Sequence, residues 1–329
     1  MSVVVRLRNG RAFASEPGQT ILNAALSGGI ALEYSCRNGR CGVCKTRVLD
    51  GETRATQPEV ALSPADVERG LVLTCCRAAV SDLQLDAEDL ARLATVTART
   101  WPARISAIEH LTDDIVTVLL RLPPTANFAF IPGQYIDVMH DGLRRSYSLA
   151  AAHREDRLLE LHIRRFESGA MSAYWFGKAA ANDLVRIEGP LGSFCLRERE
   201  VDTLYFLATG TGIAPVKALL EDIISSDEHR AKRIKVLWGN RHASDFYWNP
   251  RSLPIALDYT PVLSGASDSW EGARGHVQHV MLSEGPDLAR ASVYACGSQA
   301  MIDEASALLA ERGLPEANFH YDAFVQSGL

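Results

Sequence analysis

The chain has 329 residues, of which 47% are apolar and 22% are charged, and its formal net charge is −6. A chain of this length exceeds one ordinary hydrophobic core, which predicts two or three domains. The mildly acidic balance argues against nucleic acid as a partner. No apolar stretch approaches the roughly 20 residues that cross a bilayer. Neither a membrane nor a nucleic-acid partner is therefore expected. The protein is also expected to be monomeric.

Residues 1–90 are predicted to form a small α+β unit of the β-grasp type. Apolar positions at Val3–Arg8 and Lys45–Leu49 indicate strands. The pattern from Gln19 to Ser27 indicates a helix, which the following pair of glycines ends. The N-terminus lacks a long apolar segment, so it is interpreted as an edge strand rather than a signal peptide.

Four cysteines of this unit have the spacing of iron–sulfur ligands. Cys36, Cys41 and Cys44 follow C-x4-C-x2-C, and Cys75 comes about thirty residues later, as in a plant-type 2Fe–2S site. Two glycines let the loop turn and bring N–H groups near sulfur. A structural zinc site is the alternative, although such sites usually pair two CxxC-like knuckles. Iron–sulfur ligands together with free thiols indicate a cytoplasmic protein.

Basic residues crowd the cysteine loop. Arg37, Arg40, Lys45 and Arg47 all lie within or just after it. They form either a solvated rim or a docking face for an acidic redox partner protein.

Residues 91–102 are predicted to be a partly helical linker, and residues 103–198 are predicted to form a β-barrel. Six short strands separated by turn signals, with one helix at Ala170–Lys178, indicate an antiparallel Greek-key β-barrel. The predicted strands are Ala103–Ile108, Ile115–Leu122, Gln134–Met139, Arg145–Leu149, Leu158–Arg164 and Leu184–Ile187.

The string Arg145-Ser146-Tyr147-Ser148 predicts a flavin site on one of these strands. An arginine can hold a flavin phosphate by charge-assisted hydrogen bonds. A tyrosine two residues on points to the same side and can lie along the isoalloxazine ring. The following serine can hydrogen-bond N5, the atom that accepts hydride. A four-residue string is weak by itself, so the prediction depends on the motifs that follow.

Two further strings follow in order, His162-Ile163-Arg164 and Gly169-Ala170-Met171-Ser172. The second opens the predicted helix, so its free N–H groups and the Ser172 hydroxyl can seat a pyrophosphate. The alternative for Ser172 is a plain N-cap. Together the strings predict contacts with FAD.

Residues 199–329 alternate strand and helix patterns, which predicts a parallel α/β sheet with its ligand at the strand C-termini. The turn Gly210-Thr211-Gly212 precedes Pro215 early in a helix, so its N–H groups can bind a diphosphate. The motif is not a complete G-x-G-x-x-G, because Pro215 stands where the last glycine would be. The alternative is therefore a simple strand-to-helix turn that binds no dinucleotide. Cys296-Gly297 ends a later strand and either borders a nicotinamide or fills space as a small apolar residue.

Over essentially the whole chain, these strings resemble the ferredoxin–NADP reductase superfamily, specifically members with an N-terminal plant-type ferredoxin domain. The resemblance rests on four motifs that occur in the same order: R-x-Y-S, G-x-x-S, G-T-G-x-A-P and C-G. It implies catalytic roles for Ser148, Cys296 and Phe324. Phe324 would stack on the flavin where nicotinamide must bind, with simple C-terminal packing as the alternative. Plant-type ferredoxins end a strand with Leu-Thr-Cys, which favours Cys75 over Cys76 as the fourth ligand.

The resemblance implies an NADH-dependent reductase that passes electrons through FAD and the cluster, one at a time, to a partner protein. Within the superfamily, the chain is similar to reductase components of aromatic-ring oxygenases and to CDP-6-deoxyglucoseen reductases. The expected partner is the terminal oxygenase of an aromatic mono- or dioxygenase, and the alternative is an iron–sulfur sugar dehydrase. A stand-alone NADH oxidase or flavin reductase and a redox sensor are the rival classes.

NADH is expected rather than NADPH, because NADPH-specific relatives place basic residues after the second and third strands of this domain. Asn240-Arg241 offers one arginine, and the loop after the third strand offers an acid and no base. Asp245 is expected to orient its loop or a ribose hydroxyl. His276 and His279 form H-x-x-H on a predicted helix and are expected to be ordinary surface or core histidines.

Overall fold

The computed structural model describes residues 2–225, 229 and 232–325, which divide into two units between Thr97 and Ala98. This division falls inside the predicted linker, residues 91–102. The only regular structure in its first part is one 3-10 turn at Leu93–Thr95, and Arg99 already begins the first barrel strand. No helix in the described part of the chain is long and apolar enough to cross a membrane.

The first unit combines strands with two short helices. In chain order these are β1 (Val3–Leu7), β2 (Ala12–Ser15), α1 (Ile21–Ser27), β3 (Lys45–Asp50), β4 (Thr53–Ala55), α2 (Pro64–Glu68), β5 (Leu71–Leu73), β6 (Arg77–Ala79) and β7 (Leu83–Leu85). Five strands form a mixed sheet in the order β2-β1-β7-β3-β5, and β4 pairs with β6. The buried face of α1 packs with this sheet into one core.

Local signals explain where α1 begins and ends. The Thr20 hydroxyl accepts the Asn23 N–H at 3.3 Å and so satisfies one of the free donors of the first turn. Gly28 is the C-cap, and Gly29 has φ +68°, which glycine adopts without steric cost. The chain therefore leaves α1 sharply and enters the cysteine loop.

The second unit begins with an antiparallel barrel. Its elements are β8 (Arg99–His110), β9 (Ile115–Arg121), β10 (Tyr135–His140), β11 (Leu143–Ser148), β12 (Leu159–Arg164), α3 (Ala170–Gly177) and β13 (Leu184–Leu191). The strand order β11-β10-β13-β8-β9-β12 places the last strand between two earlier ones, as in a Greek key. A bridge between Leu149 and Leu161 joins the ends of the sheet and closes it.

A parallel sheet completes the second unit. Its elements are β14 (Thr203–Thr209), α4 (Ile213–Ser225), β15 (Arg233–Asn240), β16 (Asp258–Leu263), β17 (Ala273–Arg274), α5 (Val277–Ser283), β18 (Ala291–Ser298), α6 (Gln299–Glu311) and β19 (Phe319–Phe324). The order is β17-β16-β15-β14-β18-β19, with parallel pairing throughout. The strand order reverses between β14 and β18, which opens a crevice at their carboxyl ends.

The predicted fold class is confirmed: an α+β unit, an antiparallel Greek-key barrel and a parallel α/β sheet. Element boundaries differ by a few residues. The first barrel strand is longer than predicted, and β13 runs on to Leu191 rather than ending at Ile187. These extensions follow from pairing, because Arg99 and Thr100 pair with Gly189 and Glu188.

Candidate functional site

The cysteine loop between α1 and β3 depends on left-handed backbone turns. Gly39 and Gly42 have φ of +77° and +80°, and Arg37 adopts +58°. A Cβ on Gly39 would overlap the Pro58 carbonyl and lie 2.8 Å from Cys76 Sγ. Glycine is therefore required there by space as well as by conformation.

The four predicted cluster ligands form two sulfur pairs. Cys44 Sγ lies 3.3 Å from Cys75 Sγ, and the Cys41 N–H donates to Cys36 Sγ at 3.3 Å. The Cys41 side chain and nearby backbone N–H groups hold the pKa of Cys36 at about 5. A hydrogen bond from Cys75 likewise lowers the pKa of Cys44. The four thiols thus form two pairs, and in each pair one cysteine is favoured as the thiolate. This arrangement fits a two-iron cluster in which each iron is bound by two cysteines.

Cys76 lies beneath the loop rather than opposite Cys44. Its sulfur is fully buried, 3.5 Å from Cys75 Sγ and 3.6 Å from the Pro58 carbonyl, and burial raises the pKa of this thiol. The Gln57 amide donates to the Cys75 carbonyl at 2.9 Å and to the Arg37 carbonyl at 3.2 Å, tying the two ends of the loop together. This arrangement supports Cys75 as the fourth ligand.

The basic residues around the loop differ in how far they are neutralised. Lys45 Nζ lies 2.9 Å from Asp66 Oδ2. Burial of Asp66 raises its pKa, but the Lys45 contact helps to hold the pKa of Asp66 well below its usual range. Arg37 donates to the Asn23 side chain at 3.1 Å, whereas Arg40 and Arg47 are exposed. Only part of the predicted basic face is therefore available to an acidic partner.

Strand β11 separates the predicted flavin residues onto two faces. The Ser146 hydroxyl donates to Asp137 at 2.5 Å, on the same face as Arg144. Arg145 and Tyr147 point to the other face, as alternation along a strand requires. The Tyr147 hydroxyl accepts the Trp175 indole N–H at 2.9 Å, and burial raises the pKa of Tyr147 to about 12.

Arg145 and Ser148 have surroundings that suit a cofactor. Arg145 donates to the Arg144 carbonyl and makes no ion pair with any described residue. Ser148, at the end of β11, is buried and lies opposite Tyr135. A cation without a carboxylate partner can bind a phosphate, and a buried hydroxyl at the end of a strand can hydrogen-bond a ring nitrogen.

Strand β12 turns its polar side chains toward the parallel sheet. Ile163 is in the barrel core, so only its backbone can meet a cofactor. Arg164 Nε lies 2.7 Å from Asp114 Oδ2, and another of its nitrogens lies 3.5 Å from Asp245 Oδ2. A Cβ on Gly210 would lie 3.0 Å from the Arg164 guanidinium. Arg164 thus links the barrel to the glycine turn.

His162 belongs to a buried polar network. Its Nε2 lies 2.9 Å from Glu160 Oε1, and its Nδ1 lies 3.1 Å from the Tyr247 hydroxyl. Lys217 Nζ lies 3.2 Å from Glu160 and 2.8 Å from Glu221. Burial opposes ionisation, but the His162 and Lys217 contacts outweigh it and lower the pKa of Glu160 to about 2.

The N-terminus of α3 is open. Gly169 is the N-cap and offers no side chain to the first turn. Ser172 is not the N-cap, because its hydroxyl accepts the Phe166 N–H at 2.9 Å. Met171 is buried in the barrel core and can contribute only its backbone. An eight-residue helix with no side-chain cap retains first-turn N–H groups for an anion.

The glycine turn and the Cys296-Gly297 turn interlock at the crevice of the parallel sheet. A Cβ on Gly212 would overlap the Cys296 carbonyl, and one on Gly297 would overlap the Thr209 hydroxyl. Thr211 lies between the two glycines of the turn, and Pro215 lies in the first turn of α4, where its missing N–H costs little. The two loops can therefore approach this closely only because both positions are glycine.

Two residues missed in the sequence border this crevice, Asp322 and Tyr247. Cys296 and Asp322 are register partners on β18 and β19, and both are buried. Burial and the Asp322 carboxylate raise the pKa of Cys296 well above its usual value, so the thiol is neutral. Asp322 could have been noticed from its place two residues before Phe324. Tyr247 had no sequence signal.

Phe324 ends β19 opposite Ser298 and is 41% exposed. Simple C-terminal packing would bury this ring, whereas an aromatic that covers a cofactor must be accessible. Of the five residues after it, four (326–329) lie outside the described part of the chain.

The ends of β15 and β16 enclose a pocket of about 230 Å³. Asn240 is buried, its amide donates to the Asp245 carbonyl at 3.5 Å, and its Oδ1 has no partner among the described residues. Asp245 orients the loop, since its carboxylate accepts the His242 N–H at 3.3 Å. Arg241 is exposed and packs over Gly265. The pocket is lined by His242, Ala243, Leu263, Gly265, Ser267, Ser269 and Trp270.

Comparison with known families accounts for all three regions. Residues 5–80 match the 2Fe-2S iron-sulfur cluster binding domain, residues 102–195 the oxidoreductase FAD-binding domain, and residues 206–307 the oxidoreductase NAD-binding domain. Fold and sites thus define a nicotinamide-dependent flavin and iron–sulfur oxidoreductase. The chain belongs to the ferredoxin–NADP reductase superfamily, among the members with an N-terminal plant-type 2Fe–2S domain.

Relatives of this chain are reductase components. It is 40% identical to the CDP-6-deoxy-L-threo-D-glycero-4-hexulose-3-dehydrase reductase of Yersinia pestis, over 99% of this chain and 100% of that protein. It is 30% identical to terephthalate 1,2-dioxygenase reductase component 1 of Comamonas sp., over 96% and 95%. The solved Amycolatopsis cytochrome P450 reductase GcoB has a TM-score of 0.77 and 31% identity, covering 98% of both chains. The protein is therefore an electron-transfer reductase that acts on a redox partner.

Proposed function

We propose that this protein reduces a dehydrase of a CDP-linked deoxysugar, taking electrons from NADH and delivering them singly. The observation that carries the proposal is 40% identity along the full length of the Yersinia pestis dehydrase reductase. This reverses the order expected from the sequence, in which an aromatic oxygenase was the first choice of partner.

An oxygenase component is the second candidate. The terephthalate dioxygenase reductase and the cytochrome P450 reductase share the whole domain arrangement with this chain. Their identities of 30% and 31% are lower than the 40% of the dehydrase reductase. Shared architecture supports the electron path, whereas higher identity over the same length favours the dehydrase as the partner.

Each cofactor has a proposed set of residues in this chain. Cys36, Cys41, Cys44 and Cys75 hold the cluster. Arg145 would bind a flavin phosphate, Tyr147 would lie along the ring, Ser148 would hydrogen-bond N5, and the open N-terminus of α3 would receive the pyrophosphate. When bound, FAD accepts two electrons from a nicotinamide and releases them one at a time.

The crevice is the proposed nicotinamide site. The N–H groups of the Gly210-Thr211-Gly212 turn face the diphosphate. Cys296 and Asp322 would border the ring, and Phe324 would cover the flavin face at which the nicotinamide binds. The neutral Cys296 thiol adds no negative charge of its own beside the ring.

NADH is the proposed donor. A 2′-phosphate needs charge-assisted donors, and the lining of the pocket contains serines and His242 but no lysine or arginine. Arg241 lies at its rim beside Gly265, and the Arg274 guanidinium donates to the Trp270 carbonyl at 2.6 Å. We expect kcat/KM for NADH to exceed that for NADPH at least tenfold, and a preference for NADPH would contradict the assignment.

The partner is tested with purified proteins. The holoprotein and NADH are mixed with a CDP-6-deoxy-L-threo-D-glycero-4-hexulose-3-dehydrase and its sugar substrate, or with a terephthalate-type oxygenase and its substrate. We expect NADH-dependent product with the dehydrase only. Product with the oxygenase only would establish the second candidate instead.

A partner-free assay separates the rival classes. Under anaerobic conditions, NADH alone should bleach the cluster absorbance. Rapid oxygen consumption that is undiminished in Cys41→Ser would instead identify a stand-alone oxidase, because such an activity has no use for the cluster.

A further inference from the structure

Two helices beside the parallel sheet bring three metal-ligating side chains together. His276 is the N-cap of α5, His279 lies in its first turn, and Glu304 projects from α6. One ligand atom from each lies within 4.8 Å of the other two. The sequence offered only a pair of histidines, and the packing of α6 beside α5 supplies the carboxylate.

The separations suit a tetrahedral ion. His279 Nε2 lies 2.8 Å from Glu304 Oε1, and His276 Nδ1 lies 3.6 Å from Glu304 Oε2. Ligands at about 2.0–2.1 Å from a tetrahedral zinc ion are roughly 3.3 Å apart. The two observed distances run to different oxygens of Glu304, and one ligand atom from each of the three residues lies within 4.8 Å of the other two, so side-chain rotations are needed to bring three atoms to that spacing.

A buried neighbour orients the carboxylate. Gln278 is 1% exposed, and its amide donates to Glu304 Oε2 at 2.6 Å. Hydrogen bonds to ligating carboxylates are the usual outer support of a metal site.

We propose that His276, His279 and Glu304 bind one divalent transition-metal ion, such as zinc, and that the ion joins α5 to α6. Two imidazoles and one carboxylate suit Zn²⁺, Co²⁺ or Ni²⁺ better than Mg²⁺ or Ca²⁺, which prefer all-oxygen sites. The three side chains are 41–59% exposed, so an ion can enter from solvent and keep water in its remaining position.

The site lies on helices that start at the dinucleotide edge of the sheet. Val277, the first residue of α5, packs against Gly239 at the end of β15. A Cβ added to Gly239 would lie 2.9 Å from the Val277 side chain. Helix α6 begins after Ser298 at the end of β18. An ion shared by the two helices therefore fixes the spacing of two elements that border the crevice.

The test is calorimetric titration of Zn²⁺ into the holoprotein with its cluster in place. The cluster then occupies four of the seven thiols, and Cys76, Cys195 and Cys296 are buried. We expect one equivalent to bind in the micromolar range. His279→Ala and Glu304→Gln should each weaken binding at least tenfold. Glu311→Gln, an exposed carboxylate on the same helix, is the matched control and should bind as the unmodified protein does.

Two further readouts keep the result decisive if a variant folds poorly. Crystals soaked in zinc should show an anomalous peak between the three side chains. The thermal midpoint should rise by roughly 5–10 °C at a hundredfold excess over the dissociation constant, and not in His279→Ala. Binding that is unchanged in both variants, uptake that displaces iron, or the absence of the peak would each overturn the proposal.

Discussion

The cysteine loop and the crevice of the parallel sheet are built in opposite ways. Three of the four proposed cluster ligands lie on one short loop, and the fourth follows the adjoining strand β5. The crevice instead gathers Gly212, Cys296 and Asp322 from the ends of three different strands. A local site leaves its spacing in the sequence, whereas a crevice depends on the order of strands in a sheet.

The two regions also depend on different properties of their residues. The loop depends on sulfur chemistry, and its glycines serve to bend the chain around the thiols. The crevice depends on backbone shape, since Gly212 and Gly297 allow two turns to touch. Substitutions in the loop should therefore remove a cofactor, whereas substitutions in the crevice should slow a reaction.

The largest expected effect distinguishes the two adjacent cysteines after β5. Cys75→Ser should abolish the 2Fe–2S absorbance and reduce iron to background, because a ligand is lost. Cys76→Ser is the matched control and should retain the cluster, since its sulfur points to Pro58 beneath the loop. Flavin reduction by NADH should survive in both variants. Cluster loss in Cys76→Ser alone would reverse the ligand assignment.

Gly212→Ala tests the shape of the crevice. The new Cβ would overlap the Cys296 carbonyl, so the glycine turn must shift, and a misplacement of about 1 Å at a binding site can slow a reaction about 100-fold. Stopped-flow reduction of the flavin by NADH should slow by up to about 100-fold, while the iron content stays unchanged.

Gly177→Ala is the control for this change, because open space surrounds Gly177 at the end of α3. It should reduce flavin at the normal rate. Equal rates in both variants would mean that the contact between the two turns does not position the nicotinamide.

The buried network around Glu160 should make the second unit sensitive to acid. Its pKa is lowered from 4.5 to about 2, so its contribution to stability is present above pH 4.5 and is lost as the pH falls through 2. That contribution is about 3 kcal/mol. Glu160→Gln should lower the free energy of unfolding by this amount at pH 7 and converge with the unmodified protein near pH 2.

Urea unfolding followed by tryptophan fluorescence measures this effect, because all five tryptophans lie after Ala98 and report on the second unit alone. Asp156→Asn is the control: the pKa of Asp156 is also lowered to about 2 by Arg154, but the side chain is solvent-exposed. Its effect should be much smaller. A pH profile that is unchanged in Glu160→Gln would contradict the role of the network.

The smallest expected effect concerns Asp322. A carboxylate beside the hydride donor stabilises the positive charge that develops on the nicotinamide ring. Asp322→Asn should slow flavin reduction about tenfold, or roughly 1.4 kcal/mol, and leave the flavin content intact. Asp303→Asn, on the exposed side of α6, should have no effect. An unchanged rate in Asp322→Asn would remove this residue from the proposed site.

The sequence motifs of the second unit predicted where residues lie along a strand better than they predicted what the side chains contact. Arg145 and Tyr147 share a face of β11, as alternation requires. Ser146 was included in the same string, yet its hydroxyl binds Asp137 on the opposite face. Arg164 and His162 contact Asp245 and Tyr247 in the loop between β15 and β16, because the polar side chains of β12 face that loop. A motif fixes the order of residues along a strand, and the packing of that strand decides what each side chain touches.

The sequence by itself indicated the three-part fold class, the two glycine turns and the three closely spaced cysteines of the proposed cluster site, since each of these follows from spacing or periodicity within a short segment. The choice of Cys75 over Cys76 came from the resemblance to plant-type ferredoxins. Only the tertiary structure placed Asp322 beside Cys296, Tyr247 beside His162 and Glu304 beside a pair of histidines. These neighbours come from strands and helices that are adjacent in space but distant in the chain. Their contacts arise from the reversal of strand order and from helix packing, which leave no local pattern in the sequence.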